Sequence, residues 1–350
     1  MKQVQVAPRN TAFDLLRICA AVMVVMLHVS ALNWYSVPVD SMEWSALNIY
    51  DCLVRSAVPL FFMLSGAFVL AKDIPIKVLY LKKIIPLGIT FFTWSLLYVV
   101  STVGLRASMS VGLLGLLKSS ITHSHYHLWF LPTLMGIYML YPLLRALAGY
   151  KDGTYVKYFV ILFLTVGILR PTITLFVTGE TVQALSDKVP VELMRYSGYV
   201  ITGYYLANIN KRKANPYVLL ACFFGTVATA AAICQLDAAH TGAPSEILYD
   251  YFALTSYLEA VFLFLFFRNM RINRSQTAQT ILSKLANLTF GVYLLHPFII
   301  AQLDMRFGFN AVSWNPFLAV PVNTLLIALI CGTITAIMVK VPIIRRLWSF

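Results

Sequence analysis

The chain has 350 residues, of which 59% are hydrophobic and only 12% are charged. A soluble domain of this length has no need of so much apolar surface, so the composition excludes a soluble globular protein. The formal net charge of +13 would suit a nucleic-acid-binding protein, but the positions of the cations assign this charge to membrane topology instead.

Apolar segments recur along the whole chain, and each has close to the ~20 residues that cross a hydrocarbon core. Glycine, proline and charged residues separate them, which predicts an all-α, polytopic transmembrane bundle forming one domain over residues 1–350. We expect about ten spans, at residues 12–32, 50–70, 84–105, 127–147, 155–177, 194–209, 215–235, 248–267, 283–303 and 316–339. A shorter semi-apolar piece, 111–121, is expected to lie along the interface or to re-enter the membrane.

Most of the 27 lysines and arginines fall in every second loop between these segments. The positive-inside rule places those loops, and the N-terminal Lys2 and Arg9, in the cytoplasm. This distribution predicts an even number of spans, with both termini in the cytoplasm. We expect membrane lipid to be a partner of the protein and nucleic acid not to be one.

Arg17 and His28 in the first segment are eleven residues apart, which is about 20° past three helical turns. They therefore share one stripe of the helix, separated by about 16 Å along its axis, with Arg17 at the inner end. Asp14 lies one turn before Arg17 and is expected to orient it. The plainer interpretation is a snorkelling arginine and a hydrogen-bonded interfacial histidine.

Five further groups place ionisable side chains inside or at the edges of the predicted spans, where such groups usually mark a site or a pathway. Arg55 follows Asp51 by one turn, and a local ion pair is the alternative to a functional role. Arg170-Pro171 is expected to break the fifth segment. Glu259 is the deepest acid and requires a proton or a partner, with Arg170 or a histidine as candidates.

Thr289, Tyr293 and His296 are spaced to share one face of the ninth segment, and Pro297 follows them. A histidine satisfied by a neighbouring helix is the plainer interpretation. Before the fourth segment, His123, His125 and His127 alternate, a spacing that is not diagnostic of zinc, so we expect no metal. This stretch is expected to form a polar entry to the fourth segment, with Tyr126 and Trp129 in an aromatic belt at the membrane interface.

These residues resemble the integral-membrane acyltransferase family 3, which includes bacterial O-antigen and enterobacterial-common-antigen O-acetyltransferases. The motifs that carry the resemblance are Arg17 with His28, the segment 58–66, His127-Leu-Trp129-Phe130-Leu with Tyr138 and Pro142, and the segment 286–297. The chain departs from the family where an Arg-x-x-Arg pair is common, because Tyr80-Leu-Lys82-Lys83 stands there. Lysine keeps the charge but not the bidentate grip on phosphate.

The resemblance implies an O-acetyltransferase of the bacterial inner membrane that moves an acyl group, with acetyl expected, from cytoplasmic acyl-CoA to a surface glycan. The acceptor would be a hydroxyl of a lipid-linked or nascent sugar. His28 would be the general base, and Arg55 or His296 would stabilise the oxyanion. Arg17, Lys82 and Lys83 would hold the donor phosphates. The remaining candidates are Glu259 for catalysis and Asp14, Trp129, Arg170 and Tyr293 for binding.

Three alternatives remain open from the sequence. An acyl-histidine intermediate would replace direct transfer. A glycolipid transporter or flippase would also have about ten helices and buried charges, although no symmetric halves are visible. A non-catalytic membrane scaffold would explain the topology but not the stripe of Arg17 and His28.

Overall fold

Helices account for almost all of the chain that the computed structural model describes, namely residues 11–103, 124–176, 194–270 and 275–342, with Gly115, Lys118, Thr122 and Ile344. The first five helices are α1 (Thr11–Ala31), α2 (Met42–Val54), α3 (Ala57–Val69), α4 (Ile76–Leu79) and α5 (Ile85–Val103). The next four are α6 (Phe130–Met139), α7 (Tyr141–Gly149), α8 (Thr154–Leu162) and α9 (Arg170–Phe176). The last five are α10 (Arg195–Tyr204), α11 (Pro216–Thr241), α12 (Leu254–Asn269), α13 (Gln276–Phe307) and α14 (Pro316–Met338).

Several of these helices join into longer units that are apolar enough to cross a membrane. Seven units in the described residues qualify by length and hydropathy, and α6–α7, bent by 54°, adds an eighth. The other two predicted spans coincide with shorter helices, namely α10 with its extension Tyr205–Ile209, and α12, which has 16 residues. The prediction of an all-helical polytopic membrane bundle is therefore confirmed. Both chain ends and most of 111–121 lie outside the described residues, so their predicted placement stays a prediction.

Three stretches of π-helix lengthen these units in the described part of the chain, at Tyr80–Ile84, Phe163–Leu169 and Tyr205–Ile209. The second of them corrects the prediction that Arg170-Pro171 breaks the fifth segment. Residues Thr154–Phe176 form one helical unit, and the π-helical turns immediately before Pro171 accommodate the proline without a break.

Helix α1 lies at the centre of the bundle, in contact with α2, α3, α12, α13 and α14. Its small residues Ala20 and Ala21 are buried, which allows these neighbours to approach closely. The helix that carries Arg17 and His28 is therefore enclosed by other helices and does not face lipid along its length.

Glycine sets the closest helix contact, between α3 and α10. A Cβ atom on Gly203 would lie 2.1 Å from the carbonyl oxygen of Met63, and one on Gly66 would lie 1.8 Å from that of Val200. Only glycine lets the two backbones meet at this distance. This contact fixes the position of α3, which begins two residues after Arg55.

Candidate active site

His28 and His296 form a stacked pair of imidazoles between the two central helices α1 and α13. Their ring centroids are 5.0 Å apart and their planes differ by 26°. His296 is completely buried, whereas His28 is half-buried and also contacts the exposed ring of Tyr126 at 5.0 Å. The structure thus brings together two histidines that are 268 positions apart in the chain, each on a motif of the family resemblance.

The hydrogen bonds of His296 define what its ring can do. Its Nδ1 lies 3.2 Å from the carbonyl oxygen of Val292, one turn earlier in the same helix, so Nδ1 carries the proton and donates. Its Nε2 is buried and has no hydrogen-bond partner among the described residues. A neutral His296 therefore offers a lone pair at Nε2. This favours Arg55 over His296 as the donor to an oxyanion. The plainer interpretation had His296 bonded to a neighbouring helix, whereas its hydrogen bond is to Val292 of its own helix.

His127 and His125 complete what we call the histidine cluster (His28, His125, His127 and His296). The rings of His127 and His296 meet edge to face at 5.4 Å, and His127 is buried with an unpartnered Nε2. The Nδ1 atoms of His125 and His127 are 2.9 Å apart, so one ring donates and the other accepts.

Sequence reasoning assigned these two histidines to a polar entry of the fourth segment and so missed them as members of the site. His127 belongs to a 3₁₀ turn, Tyr126–Trp129, that enters the bundle against α13. The Tyr293 hydroxyl donates to the His127 carbonyl oxygen (2.8 Å), and the Tyr98 hydroxyl donates to that of Leu294 (2.8 Å). Tyr98 also stacks on His125 with ring centroids 4.1 Å apart. Tyr293 therefore holds the turn that carries His127.

No set of three His, Cys, Asp or Glu side chains in the described residues has an arrangement that could hold a metal ion. His123 lies outside those residues, so of the three alternating histidines only His125 and His127 are described.

Arg55 lies at the break between α2 and α3 and forms the predicted ion pair with Asp51, which is confirmed. Its guanidinium also lies 3.9 Å from the ring centroid of Tyr249. Glu259 is 1% exposed, interacts electrostatically with Arg55 and lies beside the backbone N–H of Ser56. Arg55 thus forms an ion pair with Asp51 and acts electrostatically on Glu259 and on His28. One oxygen of Glu259 is buried without a hydrogen-bond partner among the described residues.

Trp129 packs in an aromatic group beside this charge cluster. Its ring stacks on Tyr251 at 5.9 Å and tilts against Tyr196 at 5.4 Å. Arg170 is the first residue of α9 and is half-buried. Helix α9 contacts α12, because the Leu254 N–H donates to the Thr172 hydroxyl (2.8 Å). The binding roles predicted for Trp129 and Arg170 stay predictions.

At the other end of α1, Arg17 is half-buried with its guanidinium carbon 6.0 Å from the ring centroid of Phe68, and Asp14 is buried. Lys83 is half-buried and lies within electrostatic reach of Arg17, whereas Lys82 is exposed. The structure therefore separates the two adjacent lysines that the sequence placed in one role.

A narrow apolar crevice opens near these cations, between α3, α6, α7 and α10. Ser65, Tyr138, Tyr141 and Val200 are among the residues that line it. Tyr138 lies within electrostatic reach of Arg17, which places the crevice at the level of the inner end of the Arg17–His28 stripe.

The comparison with protein families matches this architecture. A family model described as an acyltransferase domain, that of acyltransferase family 3, matches residues 10–339. The chain belongs to this family. It is therefore a membrane acyltransferase, and the resemblance noted in the sequence is confirmed. No curated protein and no solved structure is significantly similar to the chain. The matched region extends from the residue before α1 to the residue after α14, so it includes both Arg17 and His28.

Proposed function

We propose that this acyltransferase moves an acyl group, with acetyl expected, from cytoplasmic acyl-CoA to a hydroxyl of a cell-surface glycan or lipid-linked sugar. The observation that carries the proposal is the stacked pair of His28 and His296 at one end of the α1 stripe, with Arg17 about 16 Å away at the other end. A base and a phosphate-binding cation on one enclosed helix match a donor that enters from one side and an acceptor that reaches the other.

His28 acts as the general base in this proposal. One of its ring nitrogens takes the proton of the acceptor hydroxyl while the hydroxyl oxygen attacks the thioester carbon. The tetrahedral intermediate then collapses, the carbon–sulfur bond breaks, and the same proton passes to sulfur. The products are an O-acyl ester and the free thiol of coenzyme A, so no proton is gained or lost.

Arg55 stabilises the negative charge that develops on the thioester oxygen. A half-buried guanidinium that is already held by Asp51 and by the ring of Tyr249 needs little rearrangement to meet that charge. Asp51 keeps the arginine in place, and Glu259, which acts on the arginine electrostatically, is a positioning residue and not an acid or base in this proposal.

His296 supports His28 in one of two ways. In direct transfer, its Nε2 accepts a hydrogen bond from the acceptor, which would satisfy the buried, unpartnered atom. In a two-step reaction, the same lone pair would carry the acyl group as an acyl-histidine intermediate. Acid-quench mass spectrometry of the protein after incubation with acetyl-CoA alone distinguishes the two, since only the second route adds 42 Da, the mass of an acetyl group, to α13.

The function itself is tested by the mass of the surface glycan repeat in a host strain, in a strain that lacks the gene and in the complemented strain. We expect the deletion to lose one acyl mass per repeat and the complemented strain to regain it. Unchanged repeat mass with less glycan at the surface would instead identify a transporter and end the proposal.

A further inference from the structure

The guanidinium group of Arg55 has a buried N–H that no group in the described part of the chain uses. Its Nη2 donates to Asp51, and its Nη1 donates to the carbonyl oxygen of Tyr249 (3.3 Å). Its Nε is buried and has no hydrogen-bond partner among the described residues. A buried donor without a protein partner is uncommon and requires an explanation such as a catalytic role or a bound water. The thioester oxygen can take this donor without displacing a hydrogen bond that already exists.

Tyr249 holds the guanidinium group from a distant part of the chain. It lies in the segment 242–253, between α11 and α12, and is 5% exposed. The centroid of its ring is 3.9 Å from the guanidinium carbon of Arg55, so the ring covers the cation that Asp51 and the Tyr249 carbonyl oxygen already bind. A planar cation with a ring against it and partners at two nitrogen atoms has little freedom to rotate. This arrangement fixes the direction of the Nε–H bond.

Asn48 in turn holds the ring of Tyr249. The Tyr249 hydroxyl donates to Asn48 Oδ1 (2.8 Å), and Asn48 Nδ2 donates to the carbonyl oxygen of Ala231 in α11 (2.9 Å). Both hydrogen bonds are buried, so each partner would be left unsatisfied if the other were removed. Asn48 lies about two helical turns before Arg55 in the chain, and it connects α2, α11 and the Tyr249 segment at one point.

Two buried tryptophans pack next to Tyr249. Trp34 lies between α1 and α2, and its ring centroid is 5.2 Å from that of Tyr249. Trp44 in α2 is 4.8 Å from Trp34, and neither tryptophan is more than 2% exposed. Closely packed rings allow little movement, so Tyr249 is a fixed surface for Arg55.

We propose that Tyr249 and Asn48 are positioning residues that hold Arg55 with its Nε–H directed at the thioester oxygen. The inference rests on the proposed function, in which Arg55 stabilises the negative charge on that oxygen. No proton changes place in this step. The N–H stays on the arginine, its hydrogen bond strengthens as the carbonyl carbon is attacked, and it weakens again when the carbon–sulfur bond breaks. A donor that is already in position needs no reorganisation at the moment of reaction.

The kinetic test compares Tyr249→Phe with Tyr199→Phe in the full-length protein in phosphatidylcholine nanodiscs. Both tyrosines are buried, and the Tyr199 hydroxyl donates to the carbonyl oxygen of Tyr251, in the same segment 242–253. Each variant therefore loses one hydroxyl group that holds this segment, and their melting temperatures should fall by similar amounts. Rates are measured with radiolabelled acetyl-CoA and the glycolipid fraction of the deletion strain as acceptor.

The two variants should differ in rate, because it is the Tyr249 ring that lies on Arg55. We expect Tyr249→Phe to lower kcat about tenfold with KM for acetyl-CoA unchanged, which is less than the ~10²–10³-fold lost when an oxyanion donor is removed outright. Tyr199→Phe should change kcat less than about twofold.

Infrared spectroscopy separates the positioning of Arg55 from a general loss of packing. The ligand is the analogue of acetyl-CoA in which a methylene group replaces the sulfur and ¹³C marks the carbonyl carbon, so no acyl group can be transferred. A hydrogen bond from Nε–H lowers the stretching frequency of the bound carbonyl group. We expect the lowest frequency in the wild type and in Tyr199→Phe, and a higher one in Tyr249→Phe and in Arg55→Gln.

Asn48→Ala tests the second residue of the proposal. It should lower kcat about as far as Tyr249→Phe does. The double variant should be no slower than the slower single variant, because both substitutions remove the same hydrogen bond. Additive losses would show that Asn48 acts independently of Tyr249 and would remove it from the proposal.

Three results would overturn the inference and leave the proposed function intact. The first is a wild-type kcat in Tyr249→Phe, and the second is a lower kcat with an unchanged carbonyl frequency. The third is an equal change of both quantities in Tyr199→Phe, which would assign the effect to the packing of the segment. An unchanged carbonyl frequency in Arg55→Gln would instead refute Arg55 as the oxyanion donor of the proposed function.

Discussion

The two ends of the stripe that Arg17 and His28 form on α1 differ in the chemistry and the burial of their side chains. In the histidine cluster His127 and His296 are buried and His28 and His125 are half-buried, the rings contact one another, and two nitrogen atoms have no partner among the described residues. At the other end, Arg17 and Lys83 are half-buried side chains near an apolar crevice. Fixed, desolvated groups suit bond making, whereas mobile cations suit the capture of a charged ligand from water. Substitutions at the two ends should therefore impair different properties of the protein, the reaction rate at one end and ligand binding at the other.

The largest expected effect comes from His28→Ala. Removal of a general base costs about 10²–10⁴-fold in rate, so acylation of the glycan should fall below detection. Coenzyme A binding should be unchanged, because the site proposed for the donor phosphates lies at the other end of α1. His240→Ala is the matched control, since His240 is an exposed histidine in the last turn of α11. Equal acylation by the two variants would remove His28 from the reaction.

Arg55→Gln should damage the protein itself as well as its activity. The substitution leaves Asp51 buried without its cation, which costs about 3–5 kcal/mol of unfolding free energy. The melting temperature in detergent should fall, and the double variant Asp51→Asn with Arg55→Gln should regain part of the loss. A single variant as stable as the wild type would show that the cluster does not depend on this charge.

Gly203→Ala tests the helix contact that positions Arg55 indirectly. The added methyl group would meet the Met63 carbonyl oxygen at 2.1 Å, so α3 and α10 must move apart at a cost of about 1–3 kcal/mol. Gly225→Ala in α11 meets nothing within 4 Å and should be neutral or slightly stabilising. Thermal unfolding of the two variants checks the difference, and the same sign for both would contradict it.

His127→Phe should have a smaller, kinetic effect. Phenylalanine keeps the ring contact with His296 but removes the hydrogen bond to His125, so we expect about a tenfold fall in kcat with KM for acetyl-CoA unchanged. His127→Asn, whose amide lies near the position of Nδ1, should recover part of the rate. If phenylalanine is fully active, the ring matters only for packing.

Much of this architecture could be predicted because periodicity and charge are local signals. The Arg17–His28 stripe follows from spacing along one helix, and the Asp51–Arg55 pair from a separation of one turn. These predictions need no knowledge of neighbouring helices.

The remaining features depend on contacts that the sequence does not encode locally. His125 and His127 enter the site through a 3₁₀ turn packed on α13, and an alternating spacing gives no helical signal. The carbonyl group of Lys72 is held by the hydroxyl of Tyr141, far along the chain. The π-helix before Pro171 likewise depends on a backbone adjustment that proline alone does not predict.

The sidedness of the donor tests the central claim most directly. Membrane vesicles of known orientation would receive radiolabelled acetyl-CoA, which does not cross the bilayer, and acylated glycan would be counted. The account predicts label on the glycan in inverted vesicles, whose cytoplasmic face is outward, and none in right-side-out vesicles. Equal labelling in right-side-out vesicles would contradict a donor site at the inner end of α1.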